Sequence, residues 1–138
     1  MRRSQIDEGK RWLEQASEDL KWAKDLASRG GYHISCFLAQ QIGEKALKAF
    51  LYTRGEEIVI GHSVGRLCNS PAKFDKAFSD RVKEWAISDG YYVPTSYPNS
   101  LPDSIPAKVY TSQAADSAVT LAEEIVEFIA AKIESVKP

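Results

Sequence analysis

Gln41, Glu44, Lys45 and Lys48 recur at the three- and four-residue steps that bring side chains onto one side of an α-helix. Together they carry the groups a nucleotide needs. Lysine is a mobile point charge for phosphate, and glutamine or glutamate can hydrogen-bond a base or a sugar. The same residues also read as an internal polar network that holds helices in register with the lysines solvated. The rarity of buried, unpaired charge favours that second reading, and the face can do both jobs.

His62 lies between Gly61 and Ser63 at the predicted start of a short helix, where backbone donors and the positive end of the helix dipole can receive an anion. A histidine there could titrate near neutrality against a ligand. The plainer role is to bond a backbone group and fix the turn, and with no other ligand motif beside it that role is favoured. Tyr97, with Tyr91 and Tyr92, offers ring faces on which bases could stack. Without interleaved Arg or Lys these tyrosines read first as anchors that fasten a loop to the body of the protein. The candidate ligand-binding set is therefore Gln41, Glu44, Lys45, Lys48, His62, Ser63 and Tyr97.

No catalytic set is legible. The chain has no nucleophile elbow, no glycine-rich phosphate cradle and no helical pair of metal-binding histidines. Ser63 beside His62 lacks the third group that would orient a base. His33 and His62 lie far apart, and Cys36 and Cys68 show no metal-ligand spacing, so neither a metal nor a cofactor is expected. Glu56-Glu57 and Glu123-Glu124 have no spacing that marks general acid and base work and read as solvated surface.

The elements that must position these residues are helices. Ile34, Leu38, Ile42, Ala46 and Ala49 make an apolar stripe along a central helix over about 32–51, with Phe37 and Phe50 widening it. Before it, Leu13, Ala16, Leu20, Ala23 and Ala27 predict a long helix over about 4–29, with Trp12 and Leu26 at its edges. Gly30-Gly31 ends that helix, and so short a connection makes the two an antiparallel hairpin. The central helix should fade at Arg54-Gly55. Ile58-Val59-Ile60 reads as an extended connection, and Ser63 as the N-cap of a short helix holding Val64 and Leu67.

A third long pattern, about 72–88, carries Phe74, Ala77, Phe78, Val82, Trp85 and Ala86. Pro94, Pro98, Pro102 and Pro106 then interrupt the chain between Gly90 and Ala107, so that stretch is expected to cross over the bundle without helix. The last helix, about 111–135, uses Ala114, Ala118, Leu121, Ile125, Phe128, Ile129 and Ile133. The fold class is all-α, an up-and-down bundle of four main helices plus a short one, with a Pro-rich crossover loop before the last helix.

Residues 1–138 are a single-domain length, able to bury a core without cross-links. The net charge of -1 gives no global attraction to polyanions, so any nucleic-acid contact must be local. The N-terminus lacks the apolar run of a secretory signal, and no stretch approaches the length of a membrane span. A cytoplasmic protein with free thiols is expected.

The run Ala39-Gln40-Gln41-x-x-Glu44-Lys45-Ala46-Leu47-Lys48, then Gly61-His62-Ser63, then Tyr92-x-Pro94-Thr95-x-Tyr97-Pro98, resembles the HEPN domain family over about residues 13–129. The resemblance implies a small helical bundle, usually dimeric, tied to nucleotide or nucleic-acid biology and often encoded beside a minimal nucleotidyltransferase. It does not by itself fix an activity.

Active relatives in that group are metal-independent ribonucleases with an Arg followed after four to six residues by His. Here seven residues separate Arg54 from His62, three separate Arg29 from His33, and no histidine follows Arg81. This chain also has Ser96 where the family branch has arginine in Thr-Arg-Tyr-Pro, which removes a cation that could meet an anion. The resemblance thus implies a non-catalytic HEPN module that forms a homodimer and binds nucleotide, RNA or a nucleotidyltransferase partner in a toxin–antitoxin-like pair. The alternatives are a metal-independent ribonuclease toxin and a purely structural dimeric adaptor.

The first and last helices carry more apolar residues than one seam requires, among them Trp12, Trp22, Val126 and Phe128. An exposed apolar surplus marks an interface. A homodimer contact that includes one or both helices, with Trp22 in it, is expected.

Overall fold

The computed structural model describes residues 4–55, 63, 64, 67, 76–91 and 104–134. Helix α1 spans Gln5–Ser28 and starts where the Ser4 hydroxyl accepts the Asp7 N–H at 3.1 Å, with Asp7 and Glu8 placed against the positive end of the dipole. Its stop is the predicted glycine pair. Gly30 takes φ +93°, and Gly31 donates its N–H to the Leu26 carbonyl at 2.8 Å, which closes the last turn.

Helix α2, Tyr32–Thr53, follows at once and ends before Gly55, whose φ is +98°. The two helices run antiparallel. At one end Ser35 Oγ donates to the Ala23 carbonyl at 2.8 Å. At the other, a Cβ built on Gly9 would lie 2.2 Å from Thr53 Cγ2 and 2.6 Å from the Ala49 carbonyl oxygen, so α1 approaches α2 as closely as only glycine allows.

The helical pattern expected over 72–88 is seen from Lys76 onward as three short pieces rather than one helix. They are a 3-10 turn at Lys76–Phe78, α3 at Val82–Trp85, and a 3-10 stretch at Ala86–Tyr91. The physical reason is aromatic packing. Phe78 and Trp85 stand with ring centroids 6.2 Å apart and both meet Phe128, at 5.2 and 5.1 Å. On a continuous helix, seven residues would separate them by about 10 Å of rise, so the chain must fold back between them. Ser79 helps the fold-back, since its hydroxyl and its N–H both turn to the Lys76 carbonyl. Phe78 and Trp85 are both fully buried, each stabilising the fold by roughly 1.5–3 kcal/mol.

Pro106 opens a single helical turn, α4 at Pro106–Val109, inside the end of the stretch expected to lack helix; proline is tolerated there because the first residue of a helix needs no N–H donor. Helix α5, Ser112–Glu134, then returns against α2 and α1. Gly43 of α2 lets Ile125 of α5 and Val64 approach, at 3.1 and 3.3 Å from where its Cβ would be. Lys24 of α1 pairs with Glu123 of α5. The chain is an all-α helical bundle, and among the described residues there is no strand.

Because α1, α5 and the 76–91 segment all pack on it, α2 is buried around nearly its whole circumference. This corrects the one-sided stripe that the spacing suggests. Ile34, at the start of the stripe, is exposed, while Gln40, Glu44 and Lys48, on the supposed outer side, are buried. Val126 is likewise buried and Phe128 packs on the core, so the apolar surplus of the last helix is used within the chain. Trp22 alone of that predicted patch stands open, at 63% exposure; Trp12 stacks on Tyr52 at 5.4 Å.

Candidate functional site

The polar residues of α2 meet in a network. Lys48 Nζ lies 3.0 Å from Glu44 Oε1, with side chains only 8% and 5% exposed. Gln41 donates to Gln40 Oε1 at 2.7 Å and to Glu44 Oε2 at 3.3 Å. Gln40 in turn reaches Asp89 Oδ1 at 3.4 Å. Lys48 also faces the Trp12 ring, 5.8 Å from its centroid. The buried ammonium thus meets both a carboxylate and an aromatic face.

Lys45 turns the other way and pairs with Asp19 of α1 at 2.6 Å, half-buried. Both lysines offered as phosphate ligands therefore hold carboxylates of this chain. The face forms an internal network, but with Lys48 buried and Lys45 half-buried against carboxylates and not solvated as the network reading had them.

Asp89 is the residue that sequence reasoning missed. One carboxylate oxygen accepts the Val64 N–H at 2.6 Å and the other accepts the Ser63 hydroxyl at 2.9 Å. Leu67 N–H donates to the Ser63 carbonyl at 2.9 Å, so a helical turn does begin at Ser63. Asp89, from a distant part of the chain, takes the first N–H of that turn, and the Ser63 hydroxyl donates to the same carboxylate. Asp89 stands before Gly90 and reads locally as a turn residue, and nothing in that spacing signals a long-range cap. His62 and Tyr97, also in the candidate set, lie outside the described residues. So do the Ser96 substitution, Tyr92 and Cys68.

The structure thus brings Gln41, Glu44 and Lys48 together, joins Ser63 to the same network through Asp89 and Gln40, and sets Lys45 apart on the α1 side. Cys36 is a free thiol, fully buried, and burial pushes its pKa from 9.0 up to about 11. It is chemically quiet. Among the described residues, no group of three or more His, Cys, Asp or Glu is placed to hold a metal.

Among the described residues, two surface clefts lie beside these groups. One, about 530 Å³, lies between Glu8, Arg11, Trp12, Gln15 and Glu18 of α1 and Lys45 of α2. Glu14 adds to its rim, so carboxylates outnumber the two cations, which disfavours a polyanion. The other, about 430 Å³, lies between Glu84, Ile87, Leu121 and Glu124. Here Arg81 holds Glu124 at 2.7 Å and stands 3.9 Å from Glu84. Burial above all, and then Glu84 beside it, raise the pKa of Glu124; Arg81 and the Trp85 indole pull it the other way and are outweighed. The Trp85 N–H faces that carboxylate without completing a hydrogen bond.

The family model for the HEPN domain matches residues 10–133. Among solved structures, TT1696 from Thermus thermophilus is similar at 35% identity and TM-score 0.79, over 90% of this chain and 97% of that one. ST0689, an archaeal HEPN homologue, is similar at 31% identity and TM-score 0.69, over 96% and 99%. A HEPN domain protein, tm0613 from Thermotoga maritima, shares the fold at 23% identity and TM-score 0.65, over 91% and 99%. No curated protein matches.

Proposed function

The chain belongs to the HEPN domain family, and we propose that within it this protein is a non-catalytic, homodimeric module of the cytoplasm that acts by binding protein. The partner is a minimal nucleotidyltransferase, in a toxin–antitoxin-like pair, as the family's usual gene neighbourhood implies. One observation carries the choice of protein over nucleotide or nucleic acid: Lys45 and Lys48, the cations of the candidate face, are held by Asp19 and Glu44. To meet a phosphate, each must first give up a carboxylate that already neutralises it, and Lys48 must also leave a site closed to water. The carboxylate-rimmed α1 cleft points the same way.

The test is reconstitution. The protein is mixed with a minimal nucleotidyltransferase from the same source and passed over a sizing column with light scattering. Co-elution at fixed stoichiometry supports the reading, and separate peaks contradict it. Incubation with labelled RNA, with and without chelator, addresses the ribonuclease alternative: intact RNA is expected. Metal-independent cleavage that disappears in His62→Ala would make the protein an enzyme instead.

A further inference from the structure

The cleft of about 430 Å³ follows one face of α5, where Asp116, Thr120 and Glu124 succeed one another at steps of four residues. Asp116 and Glu124 stand about 12 Å apart along the helix axis. Glu84 of α3 and Ile87 of the 3-10 stretch complete the lining, and Ile87 is an exposed apolar side chain beside half-buried Leu121. Among the described residues the lining thus holds three carboxylates, an apolar wall and no cation.

Arg81 stands just beyond the lining, 2.7 Å from Glu124 and 3.9 Å from Glu84. One guanidinium serving two carboxylates leaves that part of the cleft short of positive charge, and Asp116 makes no ion pair among the described residues. Two further observations share this cause. Glu124 holds its proton to a higher pH than an ordinary carboxyl, through burial first and then the hydrogen bond and charge of Glu84, in spite of Arg81. The indole N–H of fully buried Trp85 aims at the same Glu124 and is left without a completed hydrogen bond. A buried donor with no acceptor is costly. Once ionised and released from Glu84, the Glu124 carboxylate has acceptor positions for Arg81 and Trp85 together. A second cation would bring that about. Glu84 and Arg81 are the charged groups that act on Glu124 from the 76–91 segment, while Glu123 of its own helix turns to Lys24 of α1.

We propose that this cleft receives an arginine side chain of the protein partner, with its guanidinium between Glu84 and Glu124 and its aliphatic stem against Leu121 and Ile87. The proposal rests on the protein-binding reading above and adds the surface and the chemistry of what it takes. Arginine suits the lining better than lysine, because a planar fork of five donors serves two carboxylates and the Thr120 hydroxyl at once, and its stem covers the apolar wall. A metal ion does not suit it, since among the described residues no group of carboxylates is placed to hold one. Entry of the guanidinium sends the proton held by Glu84 and Glu124 to solvent, so binding is linked to pH.

The probe is N-acetylarginine amide, an arginine side chain on a neutral backbone, titrated to millimolar concentration. The readout is the set of indole N–H resonances of the isotope-labelled protein, with Trp12→Phe and Trp22→Phe assigning Trp85 by elimination. A saturable shift of Trp85 alone is expected, several-fold weaker in affinity at about pH 5 than at about pH 7 because the carboxyl pair then keeps its proton. Glu84→Gln/Asp116→Asn, changed at two exposed positions, is expected to weaken binding about tenfold, with a circular-dichroism melt near wild type excluding misfolding. An unmoved Trp85, or a shift that the double variant retains, overturns the site. Equal movement of Trp12, which lines the other carboxylate-rimmed cleft, marks diffuse attraction to acidic surface and overturns it too. Co-elution with the minimal nucleotidyltransferase is the second arm, and the double variant is expected to lose a partner that wild type retains. A partner retained by both overturns this cleft as the docking surface and spares the protein-binding reading. Probe binding without co-elution of wild type overturns that reading and, with it, the partner as the source of the arginine.

Discussion

Glu44 and Lys48 stand one turn apart on α2 and form a 3.0 Å ion pair almost closed to solvent. Such a pair is poor evidence of stability in itself, because the cost of desolvating both charges offsets their attraction. Losing one partner is a different matter. Lys48→Ala leaves a buried carboxylate without its cation and is expected to cost about 3 kcal/mol. Thermal and urea denaturation measure it. The double variant Glu44→Gln/Lys48→Met should cost clearly less than the sum of the single changes, since the two positions act on one interaction.

Asp89→Ala removes the cap of the turn that begins at Ser63 and orphans the Val64 N–H. A loss of about 1–2 kcal/mol is expected. Hydrogen exchange locates it: the Val64 amide should lose protection while amides in the middle of α1, such as Leu20, keep theirs. Equal loss at both would mean that Asp89 supports the whole fold and not this turn.

Much of this architecture is legible in the sequence, and the failures share a cause. Helices α1, α2 and α5 follow from periodic apolar residues bounded by glycine, which are local signals. The 72–88 pattern misleads because Phe78 and Trp85 are spaced as on one helix face, yet the ring of Phe128, far along the chain, draws them together. Gln40, Glu44 and Lys48 look solvent-facing because polarity normally marks the outside; here the polar groups satisfy one another inside the bundle. Asp89 is invisible as a cap, and Asp19 as the partner of Lys45, for the same reason. Partners distant in sequence leave no spacing to read.

Gly9→Ala tests the closest helix approach. The added methyl would meet both Thr53 and the Ala49 carbonyl, and the backbone oxygen cannot yield as a flexible side chain can. A loss of roughly 1–3 kcal/mol is expected from overpacking. Gly90→Ala is the control: among the described residues nothing lies within 4 Å of its Cβ position, and its stability should match wild type to about 0.5 kcal/mol.

Cys36 predicts a pH dependence. Its folded pKa of about 11 lies above the ordinary 9.0, so the unfolded chain loses this proton first. The contribution is complete below pH 9.0 and is lost as pH rises toward about 11. Cys36→Ala should therefore show a shallower fall in melting temperature across that window than wild type, whatever its offset at neutral pH. Parallel curves would contradict the burial account.

The central claim is that the polar face of α2 is spent on this chain's own contacts and not on phosphate. Calorimetric titration of the purified protein with ATP, and separately with a short single-stranded RNA, tests it most directly. The account predicts no saturable heat with either. Saturable binding that Lys45→Ala or Lys48→Ala abolishes, while the folded protein is retained, would show that phosphate displaces Asp19 or Glu44 and would contradict it.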